Sequence, residues 1–413
     1  MSPSSAKLPR FVWRAVVLSF VLQVAAIGLL RQYRIRATDD HFSFGWEMGC
    51  IGRALAEGRG FSDPYCAGTG PSAWEPPLYP YLIGGVFKVF GIHTVASAWV
   101  LLTINSLFAS LTCIPIYLIA GKTMGEKVAR WSVWTWALLP YTWYWSIHWV
   151  WDTTMTPVIL SLIFLISLQL QEWPGIKGWI LFGVLWGIGA LMNPSILSFL
   201  PFCGLWVWYL RYKRGLSSFG GVVLASLVFF LCLSPWLLRN YWTFGRFVFI
   251  RDDFGQQFRL GNGPHADGIL MAYLQPNLNP AERIRFERMG ELAYAAERKR
   301  EAFDFIRENP GRFAVISLKR FVYYWAGVPK RGDSRLAALL RSLVFLASSV
   351  LALGGLLLAI RDRKPVAELF ALLVVSYPTV YYFVFVHARY RHPIEPELLI
   401  LAVFLVAETH FFG

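Results

Sequence analysis

Ten stretches of mostly apolar residues run through this 413-residue chain, at 11–30, 94–120, 131–148, 153–171, 177–193, 195–211, 217–238, 342–360, 366–386 and 393–410. Each is close to the ~20 residues that an α-helix needs to cross a hydrocarbon layer. In lipid the backbone must satisfy its own hydrogen bonds, so such runs become helices. The fold class they dictate is an all-α polytopic membrane protein. Composition agrees: 56% of the residues are hydrophobic and 15% are Asp, Glu, Lys or Arg, whereas a soluble domain is about a quarter charged. A water-soluble fold is thereby excluded. The first run ends at Arg31, with Arg34 and Arg36 following. It lacks a small-residue cleavage site and reads as an uncleaved membrane helix.

Basic residues in the short connections set the orientation. Lys7, Arg10 and Arg14 flank the first run's start, and Lys122, Lys127 and Arg130 lie between the second and third. Lys177 follows the fourth run, Arg211, Lys213 and Arg214 the sixth, and Arg361, Arg363 and Lys364 the eighth. With the N-terminus inside, every cluster is cytoplasmic, in the positive-inside sense, on a cell (inner) membrane. Both termini are then cytoplasmic, and two long segments of the single transmembrane domain 1–413 become extracytoplasmic loops: 31–93 and 239–341. Pro76–Phe90 is apolar but too short to span comfortably, and reads as an interfacial or re-entrant helix. Residues 280–309 read as helix, with Asn279-Pro280 as start and Asn309-Pro310 as stop. The net charge of +14 is spread over these clusters and one loop. Without a nucleic-acid motif it points to membrane lipids and to no nucleic-acid partner.

The first long loop opens Thr38-Asp39-Asp40-His41 and continues Phe44-Gly45-Trp46-Glu47-Met48-Gly49. Carboxylates so close to hydrocarbon are placed for a raised pKa and general-base work. They could equally hold a divalent cation through oxygen ligands, or simply begin a solvated loop. Next comes Gly70-Pro71-Ser72-Ala73-Trp74-Glu75-Pro76-Pro77-Leu78-Tyr79-Pro80, which holds Glu75 beside a proline pair. Trp74 and Tyr79 suit sugar faces, or an aromatic belt at the interface. Asp152, in Trp149-Val150-Trp151-Asp152-Thr153-Thr154, either caps the helix that follows or completes a polar site at the membrane edge. Cys50 and Cys66 share this first loop and could pair if it is oxidising.

The second loop is basic, with 17 Lys and Arg against 11 Asp and Glu over 239–336, whereas 31–93 has 6 of each. One short outer turn breaks the basic-inside pattern: His387-Ala388-Arg389-Tyr390-Arg391-His392-Pro393. Phosphate oxygens matched to arginines would explain the exception, with headgroup anchoring as the alternative. Arg239, at the outer end of the seventh run, is a second candidate. An outer cavity with acids on one wall and arginines on another suits a lipid-linked phosphate donor, the cations offsetting leaving-group charge and a carboxylate taking a proton. The rival function is a transporter or lipid flippase, which would carry internal repeats and polar midplane helices. The runs 94–120, 131–148 and 153–171 hold no Asp, Glu, Lys or Arg.

These motifs, together with Met192-Asn193-Pro194 and Leu238-Arg239-Asn240-Tyr241, resemble those of the GT-C membrane glycosyltransferases. The resemblance is to the family 39 group related to protein O-mannosyltransferases and bacterial aminoarabinose transferases, and covers most of the chain. It implies inverting transfer from a polyprenyl-phosphate sugar to a glycan, lipid or protein acceptor on the extracytoplasmic side, with the catalytic acid in the first loop. In that family an Asp-Glu pair precedes an amphipathic helix. Here Asp39-Asp40 is followed by Glu47 just before a helical Ile51–Ala56, so either Asp40 or Glu47 is the base, with Glu47 favoured by its apolar flanks. Asp39, His41, Glu75, Trp74, Tyr79 and Asp152 are then substrate-binding, and Arg239, His387, Arg389 and Arg391 take the donor phosphate. Aminoarabinose transferases carry Glu-Lys before the proline pair, where this chain has Trp74-Glu75.

Overall fold

All ten apolar runs are helical. The computed structural model describes residues 8–35, 44–172, 175–330, 332, 334–364 and 366–409. Its helices up to the end of the fourth run are α1 (Arg10–Leu29), α2 (Trp46–Ala56), α3 (Leu78–Phe90), α4 (Val95–Leu111), α5 (Cys113–Thr123), α6 (Glu126–Leu138), α7 (Pro140–His148) and α8 (Met155–Leu170). Then come α9 (Ile176–Met192), α10 (Leu200–Lys213) and α11 (Phe219–Phe244). The second long loop holds α12 (Phe254–Gly261), α13 (Pro280–Met289), α14 (Glu291–Glu308) and α15 (Pro310–Ala326), before α16 (Arg335–Arg361), α17 (Ala367–Phe383) and α18 (Glu395–Glu408). Among the described residues the only β pairing is an isolated bridge between Ser62 and Pro71.

Among the described residues five segments are long and apolar enough to cross a membrane: Arg10–Leu29, Val95–Thr123, Asp152–Leu170, Phe219–Phe244 and Arg335–Arg361. The other runs are shortened or split, mostly by proline, which lacks an N–H and clashes with the preceding turn. Run 131–148 breaks at Leu139, where the backbone is extended and Pro140 opens α7. Pro194 opens a 3-10 turn, Pro194–Ser198, ahead of α10, and Pro393 lies in another, Ala388–Ile394, ahead of α18.

The core forms around α8, of which every residue but Leu162 and Gln169 is buried. By contrast α11 and α16 present Leu227, Phe230, Leu231, Val350 and Leu357 outward, a patch that fits hydrocarbon rather than water. Small residues let the helices approach: a Cβ on Gly183 of α9 would lie 2.5 Å from the Ala225 carbonyl oxygen of α11, and one on Gly355 of α16 would lie 2.0 Å from that of Leu401 in α18.

The first loop folds α2 against α3 and is closed by a disulfide between Cys50 and Cys66. Arg239, at the end of α11, donates to the Phe61 and Ser72 carbonyls, both at 2.6 Å, and so pins this loop. Two expectations change. The helix expected at 280–309 is two helices, because Gly290 (φ +76°) breaks it. The helix stops at Asn309 as expected, and Pro310, which needs no N–H donor in a first turn, opens α15. The helix expected from Ile51 begins at Trp46, so Glu47 lies in its first turn and not before it.

Candidate functional site

A cavity of about 360 Å³ opens where the first loop, the second loop and the 388–394 turn meet the end of α17. Glu47, Glu75 and Asp152 line it, together with His387 and Arg389. Three segments far apart in the chain thus bring five of the expected site residues to one place.

Glu47 reaches the cavity through a tight turn. Gly45 sits at φ +80°, where a Cβ would come 2.6 Å from the Val150 carbonyl oxygen, and Trp46 follows at φ +46°. Only glycine meets both demands at position 45. The Glu47 side chain is buried, and burial pushes its pKa up to about 7, against the pull of Arg389. Glu75 is buried too, 3.5 Å from an Arg251 guanidinium nitrogen. Burial drives its pKa well above the carboxylate range, with Arg251 pulling it back. Asp152 opens a 3-10 turn, Asp152–Thr154, and the N-cap positions of that turn and of α8 are Trp151 and Thr154, so the helix-cap expectation is not met.

Arg389 lies over Trp151, its guanidinium carbon 4.1 Å from the ring centroid, with the Tyr390 ring centroid 5.4 Å away. Its Nη1 is buried and makes no hydrogen bond within the protein. His387 accepts from the Arg389 backbone N–H at 3.3 Å. Burial, then Arg389 and Lys330, push the imidazole down to about 3. The ring is therefore neutral at pH 7 and offers a hydrogen bond rather than a charge.

Four expected residues sit elsewhere. Trp74 is buried in an aromatic cluster with Tyr65, Phe286 and Tyr294. Tyr79 is buried and donates to Asn105 Oδ1 at 2.9 Å. Arg239 is used on the backbone as described. Arg391 is buried, ion-paired with Glu395 at 2.8 Å and hydrogen-bonded to Ser349 at 2.8 Å. None of the four lines the cavity. Asp39, Asp40 and His41 lie outside the described residues. Among the described residues no group of three or more His, Cys, Asp and Glu is arranged to hold a metal ion.

The cavity also holds groups that sequence reasoning passed over: Arg251 and Asp253, beside Phe254 and Gln257 at the start of α12. Arg251 bridges Asp253 and Glu75. Burial opposes its charge, but the two acids outweigh burial and keep it protonated. The signal was the triplet Arg251-Asp252-Asp253 between Ile250 and Phe254, masked by the loop's overall basic balance.

The profile of the family described as dolichyl-phosphate-mannose-protein mannosyltransferase matches residues 74–239. No curated protein matches the chain. Among solved structures the chain is similar to the oligosaccharyltransferase AglB of the archaeon Archaeoglobus fulgidus, in complex with an inhibitory peptide and a dolichol-phosphate. The TM-score is 0.53 at 13% identity, over 96% of this chain and 50% of that one. It is similar to the same organism's enzyme with Zn and sulfate (TM-score 0.53, 15% identity, 96% and 50% covered) and in the apo form (0.53, 14%, 98% and 52%). The chain spans about half the length of these proteins. At such identities the likeness establishes the fold: an integral membrane protein of GT-C type, as the sequence motifs implied.

Proposed function

Starting from a GT-C membrane fold, we propose that this protein is a glycosyltransferase of the family 39 kind. It moves a sugar from a polyprenyl-phosphate donor to an acceptor on the extracytoplasmic face. The single observation that carries this reading is the convergence of a buried carboxylate poised near neutrality, Glu47, with an arginine that keeps an unpartnered N–H, Arg389, in one cavity.

The chemistry follows from those two groups. Glu47 takes the proton from an acceptor hydroxyl or amine as that atom attacks the anomeric carbon from the face opposite the phosphate. The anomeric C–O bond breaks, its electron pair leaves with the polyprenyl phosphate, and the configuration inverts. Arg389 offsets the charge growing on the phosphate, and neutral His387 adds a hydrogen bond. Asp152 and Glu75 take sugar hydroxyls. Apolar side chains such as Val380 of α17 and Val384 just beyond it, on the other wall, suit the first units of the lipid.

The test is sugar transfer in proteoliposomes supplied with a polyprenyl-phosphate sugar. Glu47→Gln keeps expression and folding and lowers transfer at least a hundredfold, roughly the worth of a general base. Retained transfer in both Glu47→Gln and Asp40→Asn would overturn the mechanism. Vesicle uptake of substrate without any sugar transfer would favour a transporter instead.

A further inference from the structure

A line of hydroxyls along one wall of the cavity is not used by that mechanism. Tyr377, Tyr381, Ser195 and Asn193 all line the cavity, from α17 and the start of the 3-10 turn that follows α9. Their hydrogen bonds run one way. The Tyr377 and Tyr381 hydroxyls are 3.2 Å apart, Tyr381 donates to Ser195 Oγ at 2.8 Å, and Ser195 donates to Asn193 Oδ1 at 2.6 Å. With its carbonyl oxygen so engaged, Asn193 has its amide N–H left to act on the Asp152 carboxylate, which lines the same cavity. Bonds aligned head to tail polarise one another, so each link firms the next. Tyr381 has a second contact: its ring stacks on Tyr390, centroids 4.4 Å apart and planes 15° from parallel. Tyr390 in turn lies against the Arg389 guanidinium.

Building on the function proposed above, we infer that Tyr381, Ser195 and Asn193 are positioning residues that aim Asp152 at the hydroxyls of the donor sugar. Tyr381 fixes this sugar-reading arm against the phosphate-binding arm at Arg389. The hydroxyl chain therefore governs recognition of the sugar and not of the lipid phosphate. Its removal weakens a sugar-bearing donor while leaving the bare lipid phosphate bound as before.

Binding by the full-length protein in lipid nanodiscs separates the two. Tryptophan fluorescence is titrated with polyprenyl-phosphate mannose and, separately, with polyprenyl phosphate. The wild type binds the mannosylated lipid more tightly. Tyr381→Phe keeps the stacked ring and loses the hydroxyl, and about tenfold of that preference disappears, the worth of a hydrogen bond or two. Ser195→Ala gives the same loss and Ser195→Thr restores the preference. The double variant loses no more than either single one, because both break one chain. A wild-type preference retained in Tyr381→Phe, or losses that multiply in the double variant, would overturn the positioning chain while leaving the proposed function intact. A wild type that binds neither lipid would overturn that function and this inference with it.

Discussion

Arg389 rests 4.1 Å from the centre of the Trp151 ring, while Arg391, two residues on, is turned the other way into a 2.8 Å ion pair with Glu395. The 3-10 turn at 388–394 divides the two arginines between the cavity and the protein interior. They should therefore fail differently. Arg389→Ala removes a cation facing the phosphate and should cut transfer by about 10²–10³, the scale set by deleting a transition-state charge contact. The melting temperature should hardly change. Arg391→Ala strands the buried Glu395, and breaking a buried pair costs about 3–5 kcal/mol. It should lower the melting temperature and the yield. Transfer and thermal denaturation of both variants, measured side by side, check the division.

The pH dependence turns on Glu47. Its pKa is raised from an ordinary 4.5 to about 7 because burial disfavours the charge. As a base it works deprotonated, so transfer should fall as pH drops through about 7, and the rate–pH profile should show that acid limb. Stability should move the opposite way. The folded state holds a proton that the unfolded state releases above 4.5, so this contribution is full below 4.5 and is lost as pH rises through about 7. Glu47→Gln cannot titrate, and should lose both the acid limb and this part of the stability trend in denaturation measured across the same range.

The spans and much of the cavity were legible in the sequence because both are set by position relative to the membrane. Asp152 and Arg389 stand at the ends of apolar runs, where a charged residue is conspicuous, and Glu47 stands among apolar flanks in the first long loop. Arg251 and Asp253 were not legible, because their meaning comes from Glu75, far away in the chain. Nor could side-chain direction be read. Trp74, Tyr79 and Arg391 have the residue types of a sugar and phosphate site, yet an aromatic packed in a cluster, a tyrosine bonded to Asn105 and an arginine paired with Glu395 look the same in sequence as ligand-facing ones. The break within 280–308 is hidden for a local reason: a glycine inside a helical pattern, here Gly290, reads the same whether the helix runs through it or ends there.

The Cys50–Cys66 disulfide closes a separation of 16 residues. A loop of that order constrains the unfolded chain by roughly 3 kcal/mol. Cys50→Ser with Cys66→Ser should lower stability by about that amount and loosen the loop that carries Glu75. The remaining cysteines, Cys113, Cys203 and Cys232, are free. In the wild type, maleimide labelling should therefore reach Cys50 and Cys66 only after reduction, whereas labelling of these two sites without reductant would contradict the disulfide.

Arg239 offers the sharpest separation of positioning from chemistry. It lies outside the cavity, yet its two 2.6 Å hydrogen bonds hold the Phe61 and Ser72 carbonyls on either side of the loop that ends in Glu75. Its guanidinium also packs 4.8 Å from the Trp236 ring centroid. Arg239→Ala leaves those carbonyls without their charged donor, a loss of about 1.5–3 kcal/mol for each bond. Arg239→Lys cannot span both oxygens, because an ammonium is a compact point and not a planar fork. Both variants should make the 58–72 segment more open to protease and reduce transfer, the lysine less than the alanine. The acid limb near pH 7 should stay where it is, since Glu47 is carried by α2 and not by the segment that Arg239 pins. A limb displaced in Arg239→Lys would show instead that Arg239 acts on the base itself.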